Sequence, residues 1–91
     1  MSTSHNLTEK PDWFNANQIC ETLDAREMLQ AGQHPLADVL AKTSALQSGQ
    51  IFELITPFAP RPLIDKVIDT GCYAYVHQIS DSEIHTYFSK A

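Results

Sequence analysis

Three prolines within six residues, Pro57, Pro60 and Pro62, divide the second half of this chain. Proline fixes φ at about −65° and donates no backbone hydrogen bond, so it is excluded from the interior of a helix and from a central strand. A strand that reaches Thr56 must therefore end at Pro57, and the chain must run extended before another helix begins. The proline run predicts a rigid connection from a strand to a helix.

The residues on either side of the prolines support this division. Residues 50–56 are rich in β-branched and aromatic side chains, and both faces of the segment are mostly apolar, which favours an interior strand. After the prolines, apolar residues recur at helical spacing, at Leu63, Ile64, Val67 and Ile68. Gly71 follows them, so we predict a short helix that ends at this glycine.

The first half of the chain has the same layout. Residues 18–25 alternate in polarity and predict a first strand. The segment after LDAR is interpreted as an eight-residue loop that ends in Gly32-Gln33-His34-Pro35. Pro35 suits the first position of a helix, where a missing N–H costs nothing. Apolar-face positions then follow at helical spacing, at Leu36, Val39, Leu40, Thr43 and Leu46, and the helix is expected to end at Ser48 and Gly49.

The ends of the chain complete the predicted domain. Residues 72–79 and 83–88 are expected to form two strands joined by a turn, so the predicted order is β-α-β-α-β-β, an α/β two-layer architecture. Residues 1–17 have no periodicity and are interpreted as a flexible N-terminal tail, anchored by Trp13 and Phe14. The domain proper is predicted to span residues 18–91.

Charge and composition exclude several classes of function. The chain has a net charge of −5, with 6 Lys and Arg against 11 Asp and Glu and no basic stripe, so nucleic-acid binding is disfavoured. No apolar run is long enough for a membrane span, and the N-terminus has no signal-peptide pattern, so we expect no membrane contact and a cytoplasmic location. Cys20 and Cys72 lack metal-ligand spacing and are expected to be buried apolar residues; no cofactor is predicted.

A binding site is predicted where the two helices begin. If the first two strands are parallel, both following helices start at the same end of the sheet, and their free amides favour an anionic or carbonyl-bearing ligand. Candidate side chains at that end are Arg26, His34, Pro35 and Arg61. The alternative is that the two arginines are solvated or pair with Asp24 and Glu27, and that His34 merely caps its helix.

The last two strands offer a second candidate surface. Pairing of Val76 with Thr86 places His77 opposite His85 on the other face. That face also carries Tyr73, Tyr75 and Tyr87, has no evident cover from its own chain, and is predicted to be a protein interface. A solvated face and a metal site are the alternatives, and the ligands of such a site would be His77, Glu83 and His85.

Four segments in this order resemble an uncharacterised, cysteine-less branch of the bacterial TusA/SirA-like domain family. They are LDAR, the helix-opening HPL, SGQIFELITPFAPRPL and the closing hairpin. The resemblance implies a two-layer α/β sandwich with a four-stranded mixed sheet, in which strand four lies between strands two and three. It also implies that both helices pack on one face.

The resemblance bears on activity through its helix-opening motif, C-P-x-P, whose cysteine carries a persulfide to a partner protein in the sulfur carriers. Here His34 replaces that cysteine, Pro35 matches the first proline, and Ala37 departs from the second. We therefore predict a non-enzymatic binding or interaction module rather than a sulfur carrier. Its expected partner is a protein, and a homodimer and a small anion are also considered. The alternative function is a sulfur-transfer or redox-related carrier or enzyme.

Overall fold

The computed structural model describes residues 9–90, which fold around one four-stranded sheet. A short 3₁₀ turn at Ala16–Gln18 precedes β1. The elements that follow are β1 (Ile19–Asp24), α1 (Arg26–Gln30), α2 (Leu36–Ser44), β2 (Ile51–Thr56), α3 (Arg61–Asp69), β3 (Cys72–Ser80) and β4 (Glu83–Lys90). The predicted order of elements is confirmed, with α1 as an addition.

The sheet is mixed, and its strands lie in the order β1-β2-β4-β3. β1 and β2 are parallel, whereas β4 is antiparallel to both β2 and β3. The predicted fold class is therefore confirmed, and strand four lies between strands two and three. Because β1 and β2 are parallel, the chain leaves both at the same edge of the sheet, where it enters α1 and α2 after β1 and α3 after β2.

The main core lies between the sheet and the helices. α2 and α3 contribute apolar side chains to the same buried cluster, which fixes both helices on one face of the sheet. Fully buried members of this cluster are Val39, Ile64 and Val67 from the helices and Phe52, Leu54 and Phe88 from the strands. This packing holds the starts of α2 and α3 next to each other.

The opposite face of the sheet is covered by the N-terminal segment. Phe14 packs on Tyr75 and Tyr87, with ring centroids 5.2 and 4.6 Å apart, and Trp13 stacks on Tyr73 at 6.1 Å. The expectation that this face has no cover from its own chain was wrong, while the anchoring role of the two aromatic residues is confirmed. Residues 1–8, the rest of the predicted tail, lie outside the described residues.

Helix α1 begins at Arg26 and covers the first part of the segment interpreted as an eight-residue loop. Its five residues, REMLQ, are all good helix formers. The N-cap residue, Ala25, has no capping side chain, but the Arg26 N–H donates to Oδ1 of Asp24 at 3.1 Å, which satisfies the first amide of the helix. Gly32 has φ of +81° and ends the turn that follows. The next helix begins at Leu36, one residue later than predicted, with Pro35 at its N-cap.

The helices of residues 9–90 are too short and too polar for any of them to cross a bilayer. The predicted cytoplasmic location and the domain boundary at residue 18 stay predictions.

Candidate functional site

A groove of about 440 Å³ lies between the starts of α2 and α3. Its lining is predominantly apolar and includes three prolines, and it comes from the segments that open the two helices and from the end of α1. The lining residues are Leu29, Gly32, Gln33, His34, Pro35, Leu36, Phe58, Pro60, Pro62, Leu63 and Lys66. The two helix starts therefore flank one groove, as the parallel arrangement of β1 and β2 predicts.

The two helix starts differ in the backbone donors that they offer. At α2 the first intrahelical bond runs from the Val39 N–H to the Pro35 carbonyl, so the amides of Leu36, Ala37 and Asp38 have no acceptor among the described residues. At α3 the Arg61 N–H donates to the Ala59 carbonyl at 3.0 Å, and Pro62 has no N–H. The expectation of two amide-rich helix starts thus holds for α2 alone.

The remaining polar groups of the groove are neutral or cationic. Lys66, His34 and Gln33 provide them, and no Asp or Glu side chain lines the groove. The lining of the groove thus carries one cationic side chain and no carboxylate, in a chain whose net charge is −5. Its floor is apolar and its charged group is a lysine.

Phe58 is the most exposed large apolar residue of the groove, with 52% of its surface accessible. It lies in the turn after β2, and the hydroxyl of buried Thr56 donates to the Phe58 carbonyl. This bond fixes the direction in which the chain leaves the sheet. Pro57 precedes Phe58 and restricts the backbone further.

The four residues predicted to bind a ligand separate in the structure. His34 and Pro35 line the groove. Arg61 is exposed at the first residue of α3 but does not line the groove. Arg26 lies in a different, polar cavity with Asp24, so the structure does not bring it together with His34.

Arg26 is already paired within its own chain. Its Nε and Nη2 donate to the two carboxylate oxygens of Asp24 at 3.0 and 2.7 Å, and its Nη1 lies 3.5 Å from Oε1 of Glu83. The hydrogen bonds from Arg26 hold the pKa of Asp24 below its usual value. The alternative considered for this arginine, pairing with a neighbouring carboxylate, is therefore what the structure contains.

Sequence reasoning missed two of the groove residues that matter most, Lys66 and Phe58. Lys66 follows Leu63 by three positions in α3, so both lie on the same helix face, and this spacing could have placed it. Phe58 had only its position between two prolines as a signal.

The predicted register of β3 and β4 is confirmed, with His77 opposite His85 and Val76 opposite Thr86. His85 is the centre of a second cluster, on the sheet face away from the helices. Its Nδ1 lies 2.8 Å from Oε2 of Glu53, and its Nε2 lies 2.7 Å from Oε2 of Glu83. The Thr22 hydroxyl donates to the other oxygen of Glu53 at 2.8 Å.

This cluster shifts three ionisation equilibria. Burial lowers the pKa of His85, but the bonds to Glu83 and Glu53 outweigh it, so the net pKa is raised. Burial would raise the pKa of Glu53, yet the bonds from Thr22, His85 and Tyr87 lower it overall. For Tyr87, burial and the Glu53 carboxylate raise the pKa to about 12. The cluster therefore favours an imidazolium held between two carboxylates.

Both ring nitrogens of His85 are engaged by carboxylates, and the ring of His77 stacks on Tyr75 at 6.1 Å. Within residues 9–90 no group of three His, Cys, Asp or Glu side chains is arranged to hold a metal ion. The metal site on His77, Glu83 and His85 therefore stays a prediction, and the described residues contain no such group of ligands to support it.

The three tyrosines predicted as an interface are not equally accessible. Tyr75 and Tyr87 are buried beneath Phe14, whereas Tyr73 is 51% exposed. Their role in an interface stays a prediction.

The two cysteines lie far from the groove. Cys72 is buried, as expected. In the pairing of β3 with β4 it lies opposite Lys90, at the end of the sheet away from the helix starts. Cys20 is exposed near the start of β1, so the expectation that it is buried was wrong. β1 is an edge strand, and its outer surface is open at this point. Neither thiol can reach the position that His34 occupies.

A comparison with protein-family models matches residues 22–90 to a family described as an uncharacterized conserved protein, DUF2249. The match covers most of the chain, from the second half of β1 to the end of β4. No curated protein and no solved structure gave a significant match.

Proposed function

The chain belongs to the family of uncharacterized conserved proteins DUF2249, and we propose that it is a protein-binding module of TusA/SirA-like type. Its ligand is an extended, acidic segment of a partner protein, which inserts a large apolar side chain into the groove between α2 and α3. The observation that carries the proposal is the apolar groove whose one charged group is Lys66.

The groove is suited to binding because its walls are rigid before a partner arrives. Pro35, Pro60 and Pro62 restrict the backbone on both sides, and Pro35 and Pro60 are themselves buried. A site with a fixed backbone loses little conformational entropy when it is occupied. Less of the free energy gained from contact with the partner is therefore lost in ordering the groove.

The size and lining of the groove favour an apolar side chain. A volume of about 440 Å³ lies in the range of roughly 300 to 1,000 Å³ that is typical of ligand sites. Leu36, Leu63 and Phe58 supply apolar contact surface, and the 52% exposure of Phe58 is reduced when a partner covers it. Anchor residues of protein interfaces fill pockets of this kind.

The charge of the groove favours an acidic segment. Lys66 lies in its wall, exposed Arg61 lies at the start of the same helix, and no carboxylate lines the groove. The free amides at the start of α2 add donors for a carboxylate or a carbonyl of the bound segment. An extended peptide with one large apolar residue beside Asp or Glu meets both requirements.

The resemblance to the TusA/SirA-like domains supports a protein partner, because the sulfur carriers of that family act by docking onto other proteins. The persulfide chemistry of those carriers is not part of this proposal. His34 stands where they have their cysteine, and both cysteines of this chain lie at the far end of the sheet.

A random peptide library tests this function directly. Linear peptides displayed on phage are selected on the immobilised full chain, and we expect enrichment of an aromatic or large aliphatic residue next to Asp or Glu. The dissociation constant of an enriched peptide is then measured by isothermal titration calorimetry. Phe58→Ser and Lys66→Glu are each expected to raise it at least about tenfold.

Ile79→Ser is the matched control, because Ile79 is 49% exposed, close to the value for Phe58, and does not line the groove. It should leave the dissociation constant unchanged. A selection that enriches no such pattern, or equal weakening by Phe58→Ser and Ile79→Ser, would contradict the proposed function.

A further inference from the structure

Strand β3 is an edge of the sheet along its whole length. It pairs with β4 on one side only, and within residues 9–90 no backbone group hydrogen-bonds to its outer side. An open edge of this length is a template for pairing with another strand, and proteins usually blunt such edges. Such protection comes from charged residues, proline, bulges or a short strand, and the two edges of this sheet differ in these features.

The other edge, β1, has several protective features. It spans six residues, its register is irregular between Ile19 and Glu21, and it carries two acidic side chains, Glu21 and Asp24. Glu21 forms an ion pair with Lys42 at 2.7 Å. Charge, irregularity and shortness together oppose the addition of a further strand at β1.

β3 lacks these features. Its nine residues, CYAYVHQIS, include no Asp, Glu, Lys, Arg, Pro or Gly, and it is the one strand of the four without a charged residue of these types. Its one irregularity lies between Gln78 and Ser80, next to the hairpin turn. Residues 72–78 therefore present a regular, uncharged edge.

We propose that two copies of this chain pair along β3 in antiparallel orientation, with the two-fold axis at Tyr75, so that one sheet runs through both copies. This interface is independent of the groove between α2 and α3.

Charge selects a second copy as the occupant. Each chain has a net charge of −5, so two copies associate most easily through a surface that brings no like-charged side chains together. β3 offers such a surface, and the partner strand must be equally free of charge, which a second β3 satisfies. A basic partner strand would find no carboxylate on this strand to pair with.

The register follows from the regular part of the strand. Tyr75 lies at the centre of residues 72–78, so an antiparallel pair centred there places Tyr73 opposite His77 of the partner subunit. Tyr73 and His77 are both exposed, and aromatic cross-strand pairs stabilise sheets. Trp13, stacked on Tyr73, widens the apolar surface on that face.

A pair of double variants tests the register by charge. Sedimentation velocity of the full chain should give a dimer of the 10.2 kDa protein. Y73K/H77K places like charges opposite each other at both symmetry-related positions, whereas Y73K/H77E places opposite charges there. We expect the dimerisation constant to be at least about tenfold weaker in Y73K/H77K than in Y73K/H77E.

The two variants share the loss of the Tyr73 ring, so their difference reports the cross-strand pair and not the packing of Trp13. Phe58→Lys, a charge introduced at a similarly exposed aromatic residue in the groove, should leave the dimer intact. As a measurement without substitutions, amide exchange of residues 73–77 should slow as protein concentration rises. A monomeric wild type, or equal dimerisation of the two double variants, overturns the proposal.

Discussion

Nδ1 of His85 lies 2.8 Å from Oε2 of Glu53, across the pairing of β4 with β2. The two side chains are only 16% and 15% exposed, so solvent screens their interaction less than it would at the surface. The pair divides the outer face of the sheet between a charged half around His85 and an aromatic half around Tyr87 and Phe14.

The free energy of unfolding that this pair contributes should fall at both high and low pH. The raised pKa of His85 means that its contribution is complete below pH 6.5 and is lost as the pH rises through the folded-state value. The lowered pKa of Glu53 means that its contribution is present above pH 4.5 and is lost as the pH falls through the folded-state value. The pair should therefore stabilise the fold most between pH 4.5 and 6.5.

Urea unfolding of Glu53→Gln against the wild type measures this window. We expect the substitution to lower the free energy of unfolding by about 1–2 kcal/mol at pH 6, and by less at pH 9. Glu27→Gln removes an exposed carboxylate of α1 and should change little at either pH. A loss for Glu53→Gln that does not vary with pH would show that the charged pair is not its source.

Phe14 should contribute substantially to stability although it precedes the sheet. It is half-buried against Tyr75 and Tyr87, so Phe14→Ala should lower the free energy of unfolding by about 1–3 kcal/mol, less than for a fully buried phenylalanine. Thermal unfolding followed by circular dichroism gives the value. Phe58→Ala, at an exposed phenylalanine, is the comparison, and equal effects of the two substitutions would contradict the packing described for Phe14.

The sequence predicted the parts of this fold that depend on local patterns. The order of strands and helices could be inferred, because apolar spacing and prolines mark each boundary. The start of α2 and α3 at the same end of the sheet could be inferred from that order. Helix α1 was missed because REMLQ has helix-forming residues but no apolar period to distinguish it from a loop. Local propensity without periodicity is a weak signal.

The candidate site was predictable in position but less so in chemistry. The missing amide donor at Pro62 could have been anticipated, and the pairing of Arg26 with Asp24 was one of the two outcomes that the sequence left open. The bond from the Arg61 N–H to the Ala59 carbonyl, which removes a further donor at α3, depends on the conformation of the turn. The His85 cluster joins β2 to β4, residues 32 apart in sequence, so no local pattern reveals it. Its discovery required the register of the central strands.

Thr56 should couple the sheet to the groove. Its buried hydroxyl donates to the Phe58 carbonyl, so Thr56→Val keeps the shape of the side chain and removes only the bond. We expect a loss of about 1 kcal/mol in stability and faster amide exchange in the turn that carries Phe58. Thr70→Val, which removes the hydroxyl bond to the Val67 carbonyl at the end of α3, is the control. Faster exchange around Phe58 in both variants would argue against a specific role for Thr56.

The start of α2 should still activate a thiol, although this chain has a histidine there. Three amides without acceptors point out of the helix at Leu36, Ala37 and Asp38, and they stabilise a thiolate more than a thiol. The Asp38 carboxylate in the first turn opposes this effect, so a modest shift is expected. A cysteine placed at each end of the same helix separates the contribution of the helix from that of the rest of the protein.

In a Cys20→Ser background, the pKa of the thiol in His34→Cys should be lower than in Ala45→Cys by about one pH unit. Ala45 is exposed at the C-cap of α2, where carbonyls rather than amides face the new side chain, and buried Cys72 is common to both variants. The pH dependence of alkylation by iodoacetamide gives each pKa. A higher pKa for His34→Cys, or equal values, would mean that the amides of α2 are not available to a group at position 34, and the donors assigned to the bound segment would be lost with them.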